Sequence, residues 1–176
     1  MTEIKARRVI LGQNNLNQSD ILEDNLLGAS DHYLEIDEHN KGISINLWST
    51  KEAPANLHDL SGKNTNIDFL PETNGSVFRL CSILPDQTLY HHLDTLHLNS
   101  SPLTDEQKND KHPLMHQVDS LVYGIVLQGK IHIILDNNET ELKPGDCVID
   151  MGSKHAWSNK TNQTALMAFI LLDARR

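Results

Sequence analysis

From residue 31 onward the chain is written in short apolar runs closed off by Gly, Pro, Asn or Asp. The spacing predicts strands at residues 32–36, 43–48, 76–84, 121–127, 130–135, 140–142, 147–150, 156–159 and 164–172. Ile131, Ile133 and Leu135 alternate with Lys130 and His132, the period of a strand with one buried face. His132 then falls on the outer face. Asp136-Asn-Asn-Glu139 fits a tight hairpin, since Asn tolerates positive φ. Lys143-Pro-Gly-Asp146 fits a turn with Pro at its second position and Gly at its third.

Helical signals are few. Thr104 ahead of Asp105-Glu106 predicts one short capped helix within residues 103–110. Residues 85–113 are long and polar and read as an excursion over the surface at the barrel mouth. The first 30 residues are rich in Asn, Gln and Asp and read as turns or a loosely held arm, with residues 7–11 able to form a strand. Many short strands and almost no helix predict an all-β sandwich or barrel.

Composition narrows the function classes. At 176 residues the chain suits one domain with a real core, and 38% hydrophobic and 22% charged residues suit a soluble protein. No run approaches the ~20 apolar residues that cross a bilayer, and the N-terminus lacks a secretory pattern. The reading is a cytoplasmic protein without a membrane partner. A net charge of -9, with basic pairs only at Arg7-Arg8 and Arg175-Arg176, argues against nucleic acid. Cys81 and Cys147 both fall in apolar runs and read as buried free thiols.

The candidate chemistry lies in the last third. His112-Pro-Leu-Met-His116 is followed by Tyr123-Gly-Ile-Val-Leu-Gln-Gly129, then Pro144-Gly-Asp146, then Gly152-Ser-Lys-His155-Ala-Trp-Ser-Asn159. Each of His116 and His155 stands at a strand entrance, so the two imidazoles can meet inside a barrel. These residues resemble the cupin superfamily. The interval Gly152-x2-His155-x3-Asn159 keeps the spacing of its second motif, though the preceding interval is one residue short and its proline is absent. The stretch from His116 to Gly129 follows the first motif. The resemblance covers residues 112–173 well, and reaches Arg7 to Gly12, Leu47 to Thr50 and Phe78-Arg79 more weakly.

The resemblance implies a double-stranded β-helix, or jelly roll, with an arm over residues 1–30, a single barrel domain over 31–176 and one or two short helices. It also implies a homodimer and a divalent metal: iron, zinc, nickel or manganese. His116 and His155 stand at the first and third histidine positions of the metal pattern. The second histidine position is Val118 and the carboxylate position is Val122, so a barrel without metal stays open. A third ligand would have to come from elsewhere: His91, His92, His97, His112 or an acid within residues 85–113. The histidines are the candidate catalytic and metal residues. Val118, Val122, Tyr123, Trp157 and Arg79 are the candidate ligand pocket, with core packing the competing reading for Tyr123 and Trp157 and an outer-face position the competing reading for Arg79. Two functions follow. One is a small-molecule enzyme of isomerase, oxygenase or decarboxylase type, with His116 and His155 as ligands or acid–base groups. The other is a non-catalytic small-molecule binding or sensor barrel.

Overall fold

The computed structural model describes residues 4–29, 31–64, 69–98 and 100–176. The arm–barrel boundary expected at residue 30 lies outside the described residues. In chain order the elements are β1 (Ala6–Gln13), β2 (Ser19–Leu27), β3 (Asp31–Glu35), β4 (Lys41–Thr50), β5 (Ser76–Ile83), α1 (Asp86–Tyr90), β6 (His97–Leu98), β7 (Ser101–Pro102), α2 (Asp105–Asn109), β8 (Ser120–Gln128), β9 (Ile131–Leu135), β10 (Glu139–Leu142), β11 (Cys147–Met151), β12 (His155–Ser158) and β13 (Ala165–Asp173). Among the described residues the molecule is mostly β with two short α-helices, in the jelly-roll manner.

Eight strands form one sheet in the order β11-β8-β13-β5-β4-β3-β6-β7, and three form a second in the order β10-β9-β12. The sheets bury their facing sides against each other. Ile131, Ile133, Leu142 and Trp157 from the small sheet pack with Cys81, Val122, Val126, Met167, Phe169 and Leu171 from the large one. A second cluster joins Leu34, Ile36 and Leu84 to Leu89, Leu96 and Leu103. The segment from 85 to 113 is therefore more than a polar excursion. Its scattered leucines supply one side of a core, and β6 and β7 extend the large sheet beyond β3.

Local chemistry explains the turns. The Asp146 amide donates to the Lys143 carbonyl over 2.9 Å, and Gly145 sits at φ +95°, a turn that needs glycine at its third position. Thr104 caps α2 through a reciprocal pair: the Gln107 amide donates to Thr104 Oγ1 and the Thr104 amide to Gln107 Oε1. The β9–β10 hairpin forms, with the Leu135 amide donating to the Asn138 carbonyl, but neither asparagine uses the positive φ expected of it.

Two further expectations need correction. The N-terminal segment is an antiparallel hairpin, β1 on β2, with one register shift between Ile10 and Leu11, and the strand expected at residues 7–11 lies within β1. It is anchored where the Arg8 guanidinium donates to the Leu47 and Lys63 carbonyls and pairs with Glu23 at 2.6 Å. Cys81 is buried, but Cys147 is exposed. On β11 the inward positions are Val148 and Asp150, while Cys147, Ile149 and Met151 point outward. The more hydrophobic set is on the outside, so apolar character alone misplaces this cysteine.

Candidate active site

His116 and His155 are joined by their main chains. The His116 amide donates to the His155 carbonyl and the His155 amide to the His116 carbonyl, each over 2.9 Å, as an isolated antiparallel bridge. This pairing carries residue 116 to the entrance of β12 and holds the two rings 4.5 Å apart, centroid to centroid. The side chains are then set by acceptors in their own turns. His116 Nδ1 lies 2.9 Å from the Leu114 carbonyl and His155 Nδ1 lies 3.0 Å from the Ser153 carbonyl. A carbonyl can only accept, so Nδ1 carries the proton in both rings and Nε2 is left as the nitrogen a ligand can reach.

A buried carboxylate lies beside the second ring. Asp150 Oδ1 accepts from the Ser153 amide (2.9 Å) and hydroxyl (2.6 Å), and its Oδ2 lies 3.2 Å from His155 Nδ1. Burial, and then the neighbouring His155, lower the pKa of His116, against smaller opposing effects of the Leu114 carbonyl and Asp150. His116 is therefore neutral near neutral pH, with a basic Nε2.

The histidines open onto a cavity of about 340 Å³ between the sheets. Its wall includes Val118, Val122, Trp157 and Arg79. Tyr123 is elsewhere: alternation along β8 turns it to the face opposite Val122, away from the cavity lining. The rest of the wall is apolar or aromatic, with Leu34, Ile83, Leu114 and Leu171 among its members. An aromatic ladder runs along one side. His155 meets Trp157 edge-on at 5.4 Å, and Trp157 meets Phe169 edge-on at 5.2 Å. Cys81 also borders the cavity, and burial pushes its thiol up to about 12, which leaves it un-ionised.

A divalent metal would find His116 and His155 as two imidazole ligands, but the donor set stops there. Val118 and Val122 put methyl groups where further ligands would stand. Among the described residues no group of three His, Cys, Asp or Glu side chains is placed to hold an ion. Protein metal sites need three or four such ligands, so these residues do not fit the group. His91 and His97 turn their Nδ1 atoms to local backbone carbonyls.

His112 belongs to a different cluster. Its Nδ1 accepts from the Leu114 amide, so its Nε2 donates to Asp86 Oδ1 at 3.3 Å. The same carboxylate accepts from the Asn159 amide (2.8 Å) and the Ser158 hydroxyl (2.5 Å). Asn159 in turn donates to the Ile83 and Gln163 carbonyls. This network ties α1 and the segment before His116 to the end of β12. Both the His112 ring and the Asn159 amide are engaged in these bonds.

Sequence reasoning missed Asp150, Asp86, Tyr33, Phe69 and Phe169 around these sites. Asp150 had one signal, a lone charge at an inward position of β11. The aromatic residues had none, because they come from strands and loops far apart in the chain.

The family model described as Cupin domain matches residues 105–171. The chain is 30% identical over 154 residues to the cupin-domain-containing oxidoreductase virC of Hypocrea virens, covering 84% of this chain and 66% of that one. It is 39% identical over 64 residues to phomopsin biosynthesis cluster protein C' of Diaporthe leptostromiformis, covering 35% and 34%. The chain thus spans between about a third and two thirds of the lengths of these curated relatives. Among solved structures it is similar to the EutQ protein of Clostridium difficile, with a TM-score of 0.46 and 12% identity over 96% of this chain and 97% of that one.

Proposed function

Since the chain belongs to the cupin superfamily, we propose that it is an enzyme that takes a small, largely apolar organic molecule into the cavity and moves a proton on it through the histidine pair. The observation that carries this reading is the double pinning of Nδ1. Two imidazoles present basic Nε2 atoms to one apolar space, held by main-chain bonds that no substrate has to form.

In the reaction, His116 Nε2 accepts a proton from an activated C–H or O–H of the substrate, and the same imidazolium returns it to a second atom. Atoms and charge balance within the substrate, so an isomerisation needs no co-reactant. His155, whose Nδ1–H is taken by the Ser153 carbonyl, offers its own Nε2 as an acceptor for a substrate hydroxyl and so fixes the approach. The apolar wall limits side reactions with water, while the Nε2 proton still exchanges with solvent between its removal and its return. The relatives named cupin-domain-containing oxidoreductases favour an enzyme over a binding barrel. A redox step would require a co-substrate in addition to this proton transfer.

The test is hydrogen exchange. The protein is incubated in D2O with apolar enolisable ketones, 4-phenyl-2-butanone and 1-phenyl-1,3-butanedione, and deuterium uptake is followed by NMR. Catalysed uptake that falls at least tenfold in His116→Gln supports the reading. Uptake that is unchanged in a His116→Gln, His155→Gln double variant refutes it. A second reading, a non-catalytic binding barrel, is favoured by the Val118 and Val122 wall. It predicts saturable binding of these ketones with no exchange above background.

A further inference from the structure

The outer face of the large sheet has no part in the proton-transfer scheme. β8 and β13 carry no charged side chain before Asp173 at the end of β13, and they are apolar on both faces. An antiparallel strand with one solvated face alternates apolar and polar residues, whereas a continuous apolar run marks a strand covered on both sides. The register lines up the outward side chains in cross-strand rows. Ile149, Tyr123, Ile170 and Phe78 form one row across β11, β8, β13 and β5. Met151, Leu121 and Leu172 form a second, and Ile125, Ala168 and Leu80 form a third that ends on Cys147. At the β11 flank Ile149 is 60% exposed and Met151 87%.

The opposite flank carries a second uncovered patch. A register shift between Asn46 and Trp48 leaves the Leu47 carbonyl to accept from Arg8, which ties the β1–β2 hairpin to β4, beside β5. On the hairpin's outward face Leu11 pairs with Ile21 and Arg7 with Leu26, and Leu11 is 72% and Leu26 66% exposed. The charges on that face, Arg7 and Asp24, neutralise each other at 2.7 Å. From these two patches we infer that the outer face of β11, β8, β13 and β5 docks a second copy of this chain, each copy laying its β1–β2 hairpin over the β11 flank of the other.

Three arguments select this occupant. The patches stand at opposite flanks of one face, so a two-fold axis parallel to the strands lays each patch on the other, twice over. The same axis keeps the strands of the two sheets aligned, a common way for sheets to pack. Charge agrees. The chain carries a net charge of -9, which repels a second copy except through a face without charge, and a basic partner would need an acidic surface that these rows lack. Area agrees as well. Three rows on four strands cover a flat footprint of roughly 400 Å², and the hairpin adds about 250 Å². Side chains stand off the sheet and raise the accessible area above the footprint, so face and hairpin together meet the ~800 Å² per partner of a stable interface, and the face alone does not. Cys147, at the corner of the face, falls on the rim that solvent reaches.

Sedimentation equilibrium tests the inference. The wild-type protein is expected to run at twice the chain mass at micromolar concentration. Ile149→Asp and Leu11→Lys each put a charge into one patch and are expected to weaken association at least tenfold. Both positions are exposed in the single chain, so the fold is retained, as circular dichroism checks, and Met151→Asp replaces Ile149→Asp if that variant does not fold. An equimolar mixture of Ile149→Asp and Leu11→Lys sets Asp near Lys at one contact and leaves the other contact as in wild type, so the mixed pair associates again. Asn137→Asp, the same charge change on the exposed β9–β10 turn, keeps the dimer. A monomeric wild type overturns the inference and leaves the face to a different protein. An Ile149→Asp variant that associates as tightly as wild type overturns it too. A mixture that stays monomeric refutes the laying of hairpin on flank, and loss of the dimer in Asn137→Asp would trace the effect to net charge and refute the interface.

Discussion

Removing the Asp86 carboxylate tests whether the segment from 85 to 113 is clamped to the barrel by one buried acceptor. In Asp86→Ala three donors lose their partner: the Ser158 hydroxyl, the Asn159 amide and His112 Nε2–H. The hydroxyl rotates to another acceptor. The amide is fixed in the main chain, and His112 is held by its second bond to the Leu114 amide, so neither can follow. Two buried orphan donors at about 1–3 kcal/mol each give a loss of roughly 4 kcal/mol. For a domain of this size that is a fall of about 8–16 °C in Tm. Asp86→Asn separates hydrogen bonding from charge. Its amide oxygen takes the place of Oδ1 and serves both rigid donors, while its NH2 group donates to a rotated Ser158 hydroxyl. It is expected to recover more than half of the loss.

The pH dependence gives a second handle on the same residue. Burial alone would raise the Asp86 pKa, but the hydrogen bonds from His112, Ser158 and the Asn159 amide outweigh it and hold the carboxyl below its ordinary range. The unfolded chain, near about 3.9, takes up its proton first, so protonation favours unfolding. The contribution is complete above about pH 4–5 and fades as pH falls through the folded value. Urea unfolding of wild type, Asp86→Ala and Asp86→Asn from pH 3 to pH 7 measures both effects. An alanine variant within about 1 kcal/mol of wild type at pH 7, or an asparagine variant as damaged as the alanine one, would refute the clamp.

Other outcomes follow from the same geometry. His116 has a lowered pKa, so the folded state binds its proton less well than the unfolded chain does; stability should rise as pH climbs toward the ordinary imidazole value of about 6.5 and level off above it, and His116→Gln should flatten that slope in thermal melts. A thiol reagent such as DTNB should modify Cys147 in the native protein and reach Cys81 only after unfolding, so two equivalents react before denaturant only if the burial assignment is wrong. Because two imidazoles make an incomplete donor set, dialysis against EDTA should leave Tm unchanged, and added Zn2+ should bind far more weakly than to a three-ligand site; a metal that co-purifies stoichiometrically and is lost in His155→Ala would contradict this. Asp150→Asn should place an amide against His155 Nδ1–H and shift the ring's tautomer balance, visible in 15N histidine spectra, with the fold retained.

The barrel was legible because its signals are local: period-two alternation on β9, the Pro-Gly turn and the Thr104 cap each act within a few residues. The histidine pair was legible for the same reason, since both stand beside strand starts in recognisable turns. The cavity wall was only partly so. Val118, Val122, Trp157 and Arg79 were placed among its residues, but Phe69 and Tyr33 join it from distant segments that no short-range pattern connects. Tyr123 shows the limit in the other direction. It stands in the motif region, yet β8 alternation hands the inward position to Val122. Of the first hairpin only β1 was legible, at residues 7–11; β2 was hidden because its Asn- and Asp-rich composition reads as coil, while its pairing is a cross-strand property.

The bridge between residues 116 and 155 separates two things that most sites specify together. Where the imidazoles stand is decided by main-chain hydrogen bonds and by the carbonyls of Leu114 and Ser153, which any side chain at positions 118 and 122 would leave in place. What surrounds them is decided by neighbouring side chains such as Val118, Val122 and Trp157. Such a socket can exchange its lining, one substitution at a time, without re-registering a strand. A lineage carrying it is free to drift between polar, apolar and ion-holding interiors while its two nitrogens keep their address.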